Sequence, residues 1–462
     1  MSSSRFQPPS QPPSSPTPSS SPSEPAPQST WFPQWQKYDG HLDHHPVRIH
    51  EVLPLNKGLL LALQHAFAMF GATVLAPLLM GFDPNLAILM AGVSTVLFFF
   101  LTGGRVPSYL GSSFAFIAPV ITATAYAGSG LNPNLSVALG GIMACGVIYA
   151  LMGLLVMKTG VAWIEKLMPP VVTGAIVMII GLNLAPVTIK GVAGSQFDSW
   201  AALMTVLCIS GVAVFGRGMF RRLLLLIGLI VAYLFYFIIA NVMGLGKAID
   251  FSPIAQASWV GLPSFTAPTF DINAMILIAP VVFILVAENL GHIKAVEAMT
   301  GQAVSPFMGR AFFADGVATI LSSSVGGTGV TTYAENIGVM AVTKVYSTTI
   351  FVLAGLVAIL LGLSPKFGAI IHSIPSPLLG GASIVVFGLI TIAGVKIWLD
   401  NKIDFSQNAN LIIAAVTLIM GTGDFSLHIG QFNLGGIGTA TLAAILLNLL
   451  FNKFASTHNS SH

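Results

Sequence analysis

From Leu59 onward, the chain alternates between apolar runs and short polar connections. A helix needs about 20 apolar residues to cross the hydrocarbon core of a bilayer. The runs do not alternate in polarity as the strands of a membrane barrel do, so they predict helices. The predicted spans are residues 59–79, 86–102, 110–125, 136–157, 169–186, 200–216, 222–243, 274–297, 310–324, 329–341, 345–363, 378–397, 409–422 and 435–452.

The predicted spans form two sets of seven, separated by a longer polar segment. An odd number of spans brings the second set into the membrane from the opposite side, so the pattern predicts two inverted repeats, a transporter architecture. A chance division of a 14-helix protein is the alternative. The predicted units are a disordered Ser/Pro-rich cytoplasmic tail with a pre-membrane segment (1–57), the first repeat (58–243), an external linker (244–272), the second repeat (273–454) and a cytoplasmic tail (455–462).

The composition supports an all-α polytopic membrane protein. Hydrophobic residues make up 54% of the 462 residues and charged residues only 8%, against about 25% charged in soluble domains. A soluble enzyme is thereby disfavoured. The net charge of +3, without a basic run interleaved with aromatics, argues against a nucleic-acid partner. Cys145 and Cys208 lie inside apolar runs and are interpreted as small hydrophobic residues.

The distribution of basic residues predicts the orientation. If the N-terminus is cytoplasmic, all 19 Lys and Arg residues except Lys190, Lys247 and Lys366 fall on the cytoplasmic side. Cytoplasmic loops carry the excess of Lys and Arg in membrane proteins. The sequence therefore predicts a multi-pass protein of the bacterial inner membrane with both termini in the cytoplasm.

One acidic residue lies deep inside a predicted span. Glu288 follows twelve uninterrupted apolar residues, and His292 comes four residues later, on the same helix face. Ionisable groups at membrane depth are costly and usually functional. A proton-exchanging pair is therefore expected, with a buried structural hydrogen bond as the alternative.

A second acidic residue, Glu335, follows a stretch rich in Gly, Ser and Thr (322–334). Such residues favour irregular or extended backbone, which survives at membrane depth only where it lines a cavity. The segment 105–119 is its counterpart in the first half, and a broken helix in each half points to a substrate site between them. Phe114 or Phe116 is a candidate for stacking on a planar ligand. A surface loop around Glu335, and lipid-facing packing of the phenylalanines, are the alternatives.

These residues suit a small, polar, planar substrate with N–H donors. No enzyme motif is found: Gly326–Gly329 lacks the lysine of a phosphate loop, and the histidines have no metal-ligand spacing. Neither catalytic residues nor a metal or cofactor are predicted. Arg310 and Asp315 are assigned structural or gating roles.

The segment Glu335-Asn-Ile-Gly-Val-Met-Ala-Val-Thr-Lys344 resembles the signature of the nucleobase–ascorbate transporter family, also called nucleobase:cation symporter 2. Gln64–Thr73 and Ser108–Phe114 resemble its bacterial uracil permeases, and Val286–His292 and Thr331–Glu335 resemble its bacterial pyrimidine permeases. The similarity covers about residues 55–455. The initial Glu of the signature is typical of uracil-type members, whereas Gln is common in xanthine and urate transporters.

The resemblance implies a 14-span fold. Spans 1–4 and 8–11 would form a core domain, and the others a gate domain that mediates homodimerisation. Spans three and ten would contain short antiparallel strands. Uracil would bind between those strands, and proton symport would follow alternating access, with H⁺ as the coupling ion, no cofactor, and Glu288 and His292 in proton coupling. The implied substrate-binding residues are Glu288, Glu335, Phe114, Ala334, Ser113, Tyr333 and His65.

Three other functions remain open from the sequence. Thymine or xanthine are further candidate substrates of a uracil importer. A xanthine or urate permease of the same fold would share the signature. A passive nucleobase channel or facilitator would need no proton-coupling pair.

Overall fold

The computed structural model describes residues 31–40, 45–128, 130–429 and 432–459. The Ser/Pro-rich tail at 1–30 and the last residues of the C-terminal tail, 460–462, lie outside the described residues. The described part is mainly α-helical, as predicted.

Helices follow one another with short connections. Those preceding the central linker are α1 (Leu55–Met80), α2 (Pro84–Thr102), α3 (Ile117–Thr124), α4 (Leu135–Thr159), α5 (Ala162–Leu167), α6 (Pro170–Val192), α7 (Gln196–Phe215), α8 (Met219–Arg222) and α9 (Leu224–Phe237). The linker and the second half contain α10 (Ser252–Gln256), α11 (Ile272–Ile278), α12 (Val281–Thr300), α13 (Met308–Ser324), α14 (Ala334–Thr343), α15 (Thr348–Gly362), α16 (Pro365–His372), α17 (Ser376–Asp400), α18 (Asn408–Thr422) and α19 (Gly436–Asn459). Helix α19 thus continues past residue 454, where the predicted repeat ends.

Three two-stranded sheets accompany the helices. They pair β1 (Gln36–Lys37) with β2 (Glu51–Val52) in parallel, and β3 (Leu110–Ser112) with β4 (Val330–Thr332) and β5 (Leu427–Ile429) with β6 (Phe432–Leu434) antiparallel. The expectation of short antiparallel strands in the interrupted stretches of both halves is confirmed by β3 and β4.

Nine helices of the described residues are long and apolar enough to cross a membrane. They are α1, α2, α4, α6, α7, α9 with its π-helical extension Ile238–Val242, the pair α11 and α12, α17, and α19. The other five predicted spans are shorter helices in the structure. Two of them begin as strands, and after a third, α15, the chain bends by 79° into α16. Pro365 opens α16, and a proline cannot continue the preceding helix.

Local sequence explains the ends of individual helices. In α2 the Asp83 carboxylate accepts a hydrogen bond from the Asn85 amide (2.9 Å) and Pro84 occupies the first turn, a favourable start. The helix ends at Gly103, whose φ of 66° is left-handed and costs glycine little.

Glycines bring three helix pairs into close backbone contact. Gly92 of α2 faces Gly355 of α15, Gly146 of α4 faces Gly316 of α13, and Gly174 of α6 faces Gly394 of α17. A Cβ at any of these positions meets the backbone of the facing helix. Small residues of this kind let membrane helices pack tightly, and all six of these helices contribute to the main apolar core.

Candidate binding site

A cavity of about 500 Å³ lies where β3, β4 and the start of α14 meet α12, α6 and α17. Its polar lining residues come from the broken segments and α12, whereas α6 and α17 contribute mainly apolar ones. The polar set is Ser112, Ser113, Glu288, His292, Thr331, Tyr333 and Glu335, with Phe114 and Ala334 beside it, and the apolar set includes Val177, Ile180, Val386, Leu389 and Ile390.

The two strands form the polar floor of this cavity. Ser112 pairs with Val330 and Leu110 with Thr332. Each short strand is anchored to a neighbouring helix by a threonine. The Leu110 amide donates to Thr95 Oγ1 of α2 (3.0 Å), and the Val330 amide donates to Thr319 Oγ1 of α13 (3.2 Å). These bonds satisfy strand amides that would otherwise lie unpaired in the membrane.

A helix begins directly after each strand. Phe114 opens a single 3₁₀ turn that leads into α3, and Ala334 opens α14. The first amides of a helix have no intrahelical acceptor and carry partial positive charge. The predicted amide donors Phe114 and Ala334 therefore both line the cavity at helix N-termini.

The structure gives Glu288 and His292 separate partners on β4. Thr331 Oγ1 donates to Glu288 Oε2 (3.4 Å), and His292 Nδ1 lies 2.8 Å from Thr332 Oγ1. Both side chains line the cavity, as their spacing on α12 predicts. The two side chains therefore contact adjacent residues of β4, Thr331 and Thr332.

A fully buried polar network adjoins α12 and β4. The Asn289 amide donates to the Tyr149 hydroxyl (2.8 Å) and to Asp315 Oδ2, and Asn289 Oδ1 accepts from Thr332 Oγ1 (3.1 Å). Asp315 is completely buried. The Asp315 side chain thus reaches His292 through Asn289 and Thr332, and Asp315 does not itself line the cavity.

Tyr333 and Phe114 both line the cavity and are fixed by contacts with neighbouring elements. The Tyr333 hydroxyl donates to the Ser112 carbonyl (2.9 Å) and accepts from Thr73 Oγ1 (3.1 Å). The ring of Phe114 packs edge-on against Phe387 of α17, with centroids 6.1 Å apart. Tyr333 therefore ties β4 to β3, and Phe114 spans the polar and apolar sides.

His65 is the predicted site residue that the structure places outside the lining set. It is buried against the Phe351 ring (4.7 Å between centroids), and its Nδ1 lies 3.0 Å from Asn336 Nδ2. Asn336 is adjacent to Glu335. His65 therefore contacts the residue next to Glu335 and does not line the cavity.

Sequence reasoning missed Thr331, Thr332 and Asn289 as partners of the ionisable groups. The available signal was strand alternation, which sends neighbouring side chains to opposite faces and gives Thr331 and Thr332 different partners. Two charged residues at the mouth, Lys396 and Asp400, were also missed. They lie one turn apart at the end of α17 and line the cavity.

The arrangement suits a small planar molecule with both donors and acceptors. Carboxylates accept N–H bonds, helix-terminal amides donate to carbonyl oxygens, and the apolar wall covers a flat ring.

Comparisons with known proteins identify the family of the chain. A family model described as the Permease family matches residues 56–430. The Escherichia coli protein named "Putative pyrimidine permease RutG" is 64% identical over 422 residues, covering 91% of this chain and 96% of that protein. The uracil permease of Paenibacillus larvae is 39% identical, covering 88% of this chain and 96% of that protein.

Solved structures share the fold at low sequence identity. The transmembrane domain of the cyanobacterial bicarbonate transporter BicA aligns with a TM-score of 0.59 at 17% identity, covering 85% of this chain and 97% of that one. The murine anion transporter Slc26a9 aligns with a TM-score of 0.63 at 11% identity, covering 87% of this chain and 69% of that one. These relatives are permeases and transporters rather than enzymes. The chain is a multi-pass membrane protein of the Permease family, in agreement with its resemblance to the nucleobase–ascorbate transporters.

Proposed function

We propose that this protein imports uracil across the bacterial inner membrane by proton symport and alternating access, with thymine and xanthine as further candidate substrates. The observation that carries the proposal is the meeting of Glu288, Glu335 and two helix N-termini in one cavity. Uracil has two ring N–H donors and two carbonyl acceptors, which match this set. The names of the pyrimidine and uracil permeases it resembles support the same substrate class.

The proposed binding mode assigns each polar group a role. Glu288 and Glu335 accept from the ring N–H groups, and the amides of Phe114 and Ala334 donate to a ring carbonyl. Ser113 and Tyr333 shape the polar floor, and His65 supports Glu335 through Asn336. Proton coupling is assigned to Glu288 and His292, the two ionisable residues on the cavity face of α12.

We further propose 14 membrane segments in two inverted repeats, 58–243 and 273–454, joined by the external linker 244–272. The nine long helices are supplemented by five shorter elements: α3 with β3, α13, α14 with β4, α15, and α18. Counted in this way, an exchange of each segment with the one seven places later maps observed helix pairs onto each other. The pair of α2 with α15 maps onto that of α4 with α13, and the pair of α7 with α9 maps onto that of α18 with α19.

The same count supports a core and a gate domain. The polar lining residues other than Lys396 and Asp400 then belong to segments 3, 8 and 10, and the lining residues of α6 and α17 belong to segments 5 and 12. Movement of one set against the other would open the site to alternate sides. The exposed apolar faces of α7 and α9 suit contact with lipid or with a second copy in a homodimer.

Uptake of radiolabelled uracil into cells expressing the protein tests this function. We expect saturable uptake that excess unlabelled uracil blocks, and that a protonophore or an alkaline exterior abolishes. If excess xanthine or urate blocks uptake far better than uracil, the substrate assignment is wrong. Uptake that ignores pH and the protonophore would identify a facilitator instead of a symporter.

A further inference from the structure

The segment that precedes the first long helix is packed against the rest of the protein. Residues 31–40 and 45–53, called here the N-terminal strap, include the parallel pair β1–β2. Val47, Ile49 and Leu53 are buried, Val47 completely. A merely solvated approach to the membrane would leave such side chains exposed.

One end of the strap is bound to the end of α2. Trp31 Nε1 donates to the Phe100 carbonyl (2.9 Å), and the Arg310 guanidinium lies 4.1 Å from the centre of the Trp31 ring. Gly103, at a φ of 66°, leaves no room for a Cβ beside the Trp31 carbonyl. These contacts connect the strap to both α2 and α13.

The other end of the strap forms a parallel bridge with the loop between α14 and α15. The Val47 amide donates to the Lys344 carbonyl (2.9 Å), and the Tyr346 amide donates to the Val47 carbonyl (2.9 Å). The Thr348 amide then donates to the Ile49 carbonyl (3.2 Å). The strap thereby holds the chain immediately after α14.

Helix α14 is short, and one restraint within it comes from Asn336, whose Nδ2 donates to the His65 carbonyl (3.1 Å). The helix is ten residues long and buries only Asn336, Val339 and Met340. A helix this short is marginal without tertiary contacts. Its start is held by β4, which pairs with β3, and its end is held by the strap. Glu335 lies in its first turn, so the orientation of Glu335 depends on both ends.

We propose that the N-terminal strap is a positioning element for Glu335, acting through its backbone bridge to the α14–α15 loop. This inference rests on the proposed uracil site. No described residue of the strap lines the cavity. Loss of the strap therefore weakens substrate binding while leaving the chemistry of the site in place.

The test compares two substitutions at one position in the full-length protein. Val47→Pro removes the amide that bonds to Lys344, whereas Val47→Ile keeps it. For Val47→Pro we expect the KM for uracil to rise about three- to ten-fold, the change expected for one lost hydrogen bond. The maximal rate per inserted molecule should stay within about two-fold, and Val47→Ile should behave as the wild type.

A second measurement does not require uracil. In a background with both native cysteines changed to alanine, Ala341→Cys places a thiol on the exposed side of α14, one turn before the bridge. Its rate of reaction with a maleimide in purified protein should rise in Val47→Pro and not in Val47→Ile, because the end of the helix loosens.

The outcomes separate the possible failures. If Val47→Pro lowers only the amount of inserted protein, with KM and labelling rate unchanged, the strap is structural and the proposal is wrong. If the wild type does not bind uracil but the labelling rate still rises, the proposed function fails while the strap retains its hold on α14. If uracil binds normally to both variants, the positioning role is overturned.

Discussion

At the residue scale, the main feature of the site is a pair of carboxylates that line one cavity. Glu288 and Glu335 both line it, together with the first amides of two helices. Their partners differ. Glu288 accepts from Thr331, whereas Glu335 sits on the short helix that β4 and the strap hold in place. The two carboxylates are therefore positioned by different helices, α12 and α14.

The first prediction concerns Glu335→Gln. An amide presents one acceptor where the carboxylate presents two, and it loses the charge-assisted bond to a ring N–H. Such bonds contribute about 1.5–3 kcal/mol, so uracil affinity should fall about ten- to a hundred-fold. Binding to purified protein measures it. Glu165→Gln is the control, because Glu165 forms an exposed pair with Lys294 (2.7 Å), and it should bind as the wild type does. Unchanged uracil affinity of Glu335→Gln would show that Glu335 does not bind the substrate.

The second prediction concerns the buried polar network around Asn289. Asn289→Leu leaves Asp315 without its amide donor in a fully buried position. An unsatisfied buried acceptor costs about 1–3 kcal/mol, and more if it is charged. The thermal unfolding midpoint in detergent should fall. Asn401→Leu is the control, since Asn401 is exposed and bonds only to the Ile397 carbonyl of its own helix. Equal midpoints would show that the network does not stabilise the fold.

The residues that could be found from sequence were those that the membrane penalises. An ionisable group such as Glu288 or His292 stands out against an apolar run, and Glu335 stands out beside a Gly-rich break. Uncharged partners such as Thr332 and Asn289 carry no such signal, because their side chains are common in both loops and spans. His65 was implied only by resemblance, and its contact with Asn336 joins residues 271 positions apart.

At the element scale, a glycine allows the two broken segments to approach each other closely. Gly111 of β3 faces the Tyr333 ring, and a Cβ there would lie 2.5 Å from Tyr333 Cζ. The Tyr333 hydroxyl bonds to the Ser112 carbonyl on the same strand. The close approach of ring and strand therefore requires the absence of a side chain at position 111.

The third prediction follows from this contact. Gly111→Ala should push Tyr333 away from β3 and break its hydrogen bond to Ser112. We expect uracil uptake at matched membrane levels to fall about ten-fold or more, since overpacking of a tight site costs about 1–3 kcal/mol. Gly388→Ala on α17 is the matched control, because a Cβ at Gly388 meets no atom within 4 Å. Wild-type uptake by Gly111→Ala would mean that the floor of the cavity tolerates displacement.

The sequence pattern predicted that the two segments are broken, and the resemblance implied short antiparallel strands in them. Neither predicted the register in which β3 pairs with β4. The predicted span 110–125 begins with β3 rather than a helix, because Thr95 of α2 and β4 supply hydrogen bonds that a helix would not use. Strand register depends on partners from the other half of the chain, more than 200 residues away, and no local pattern encodes it. Long helices such as α4 and α17 depend on local apolar length alone, which is why their predicted bounds were close.

The distribution of charge and the pairing of helices bear on the proposed architecture at the scale of the whole molecule. The exchange of segments seven places apart maps the pair of α2 with α15 onto that of α4 with α13. With the proposed seven segments in each half, an odd number, the central linker lies on the side opposite to both termini. In that arrangement only Lys190, Lys247 and Lys366 fall on the linker side, as the excess of Lys and Arg in cytoplasmic loops requires.

The last prediction tests that division in intact cells. With Cys145 and Cys208 changed to alanine, Lys247→Cys in the linker should react with a membrane-impermeant maleimide added outside. Lys402→Cys, between α17 and α18, should react only after the membrane is permeabilised. Both positions are exposed, so a difference in labelling reports sidedness rather than burial. Labelling of both from outside would break the 14-segment count, because a single missing segment between residues 247 and 402 moves Lys402 to the outer face.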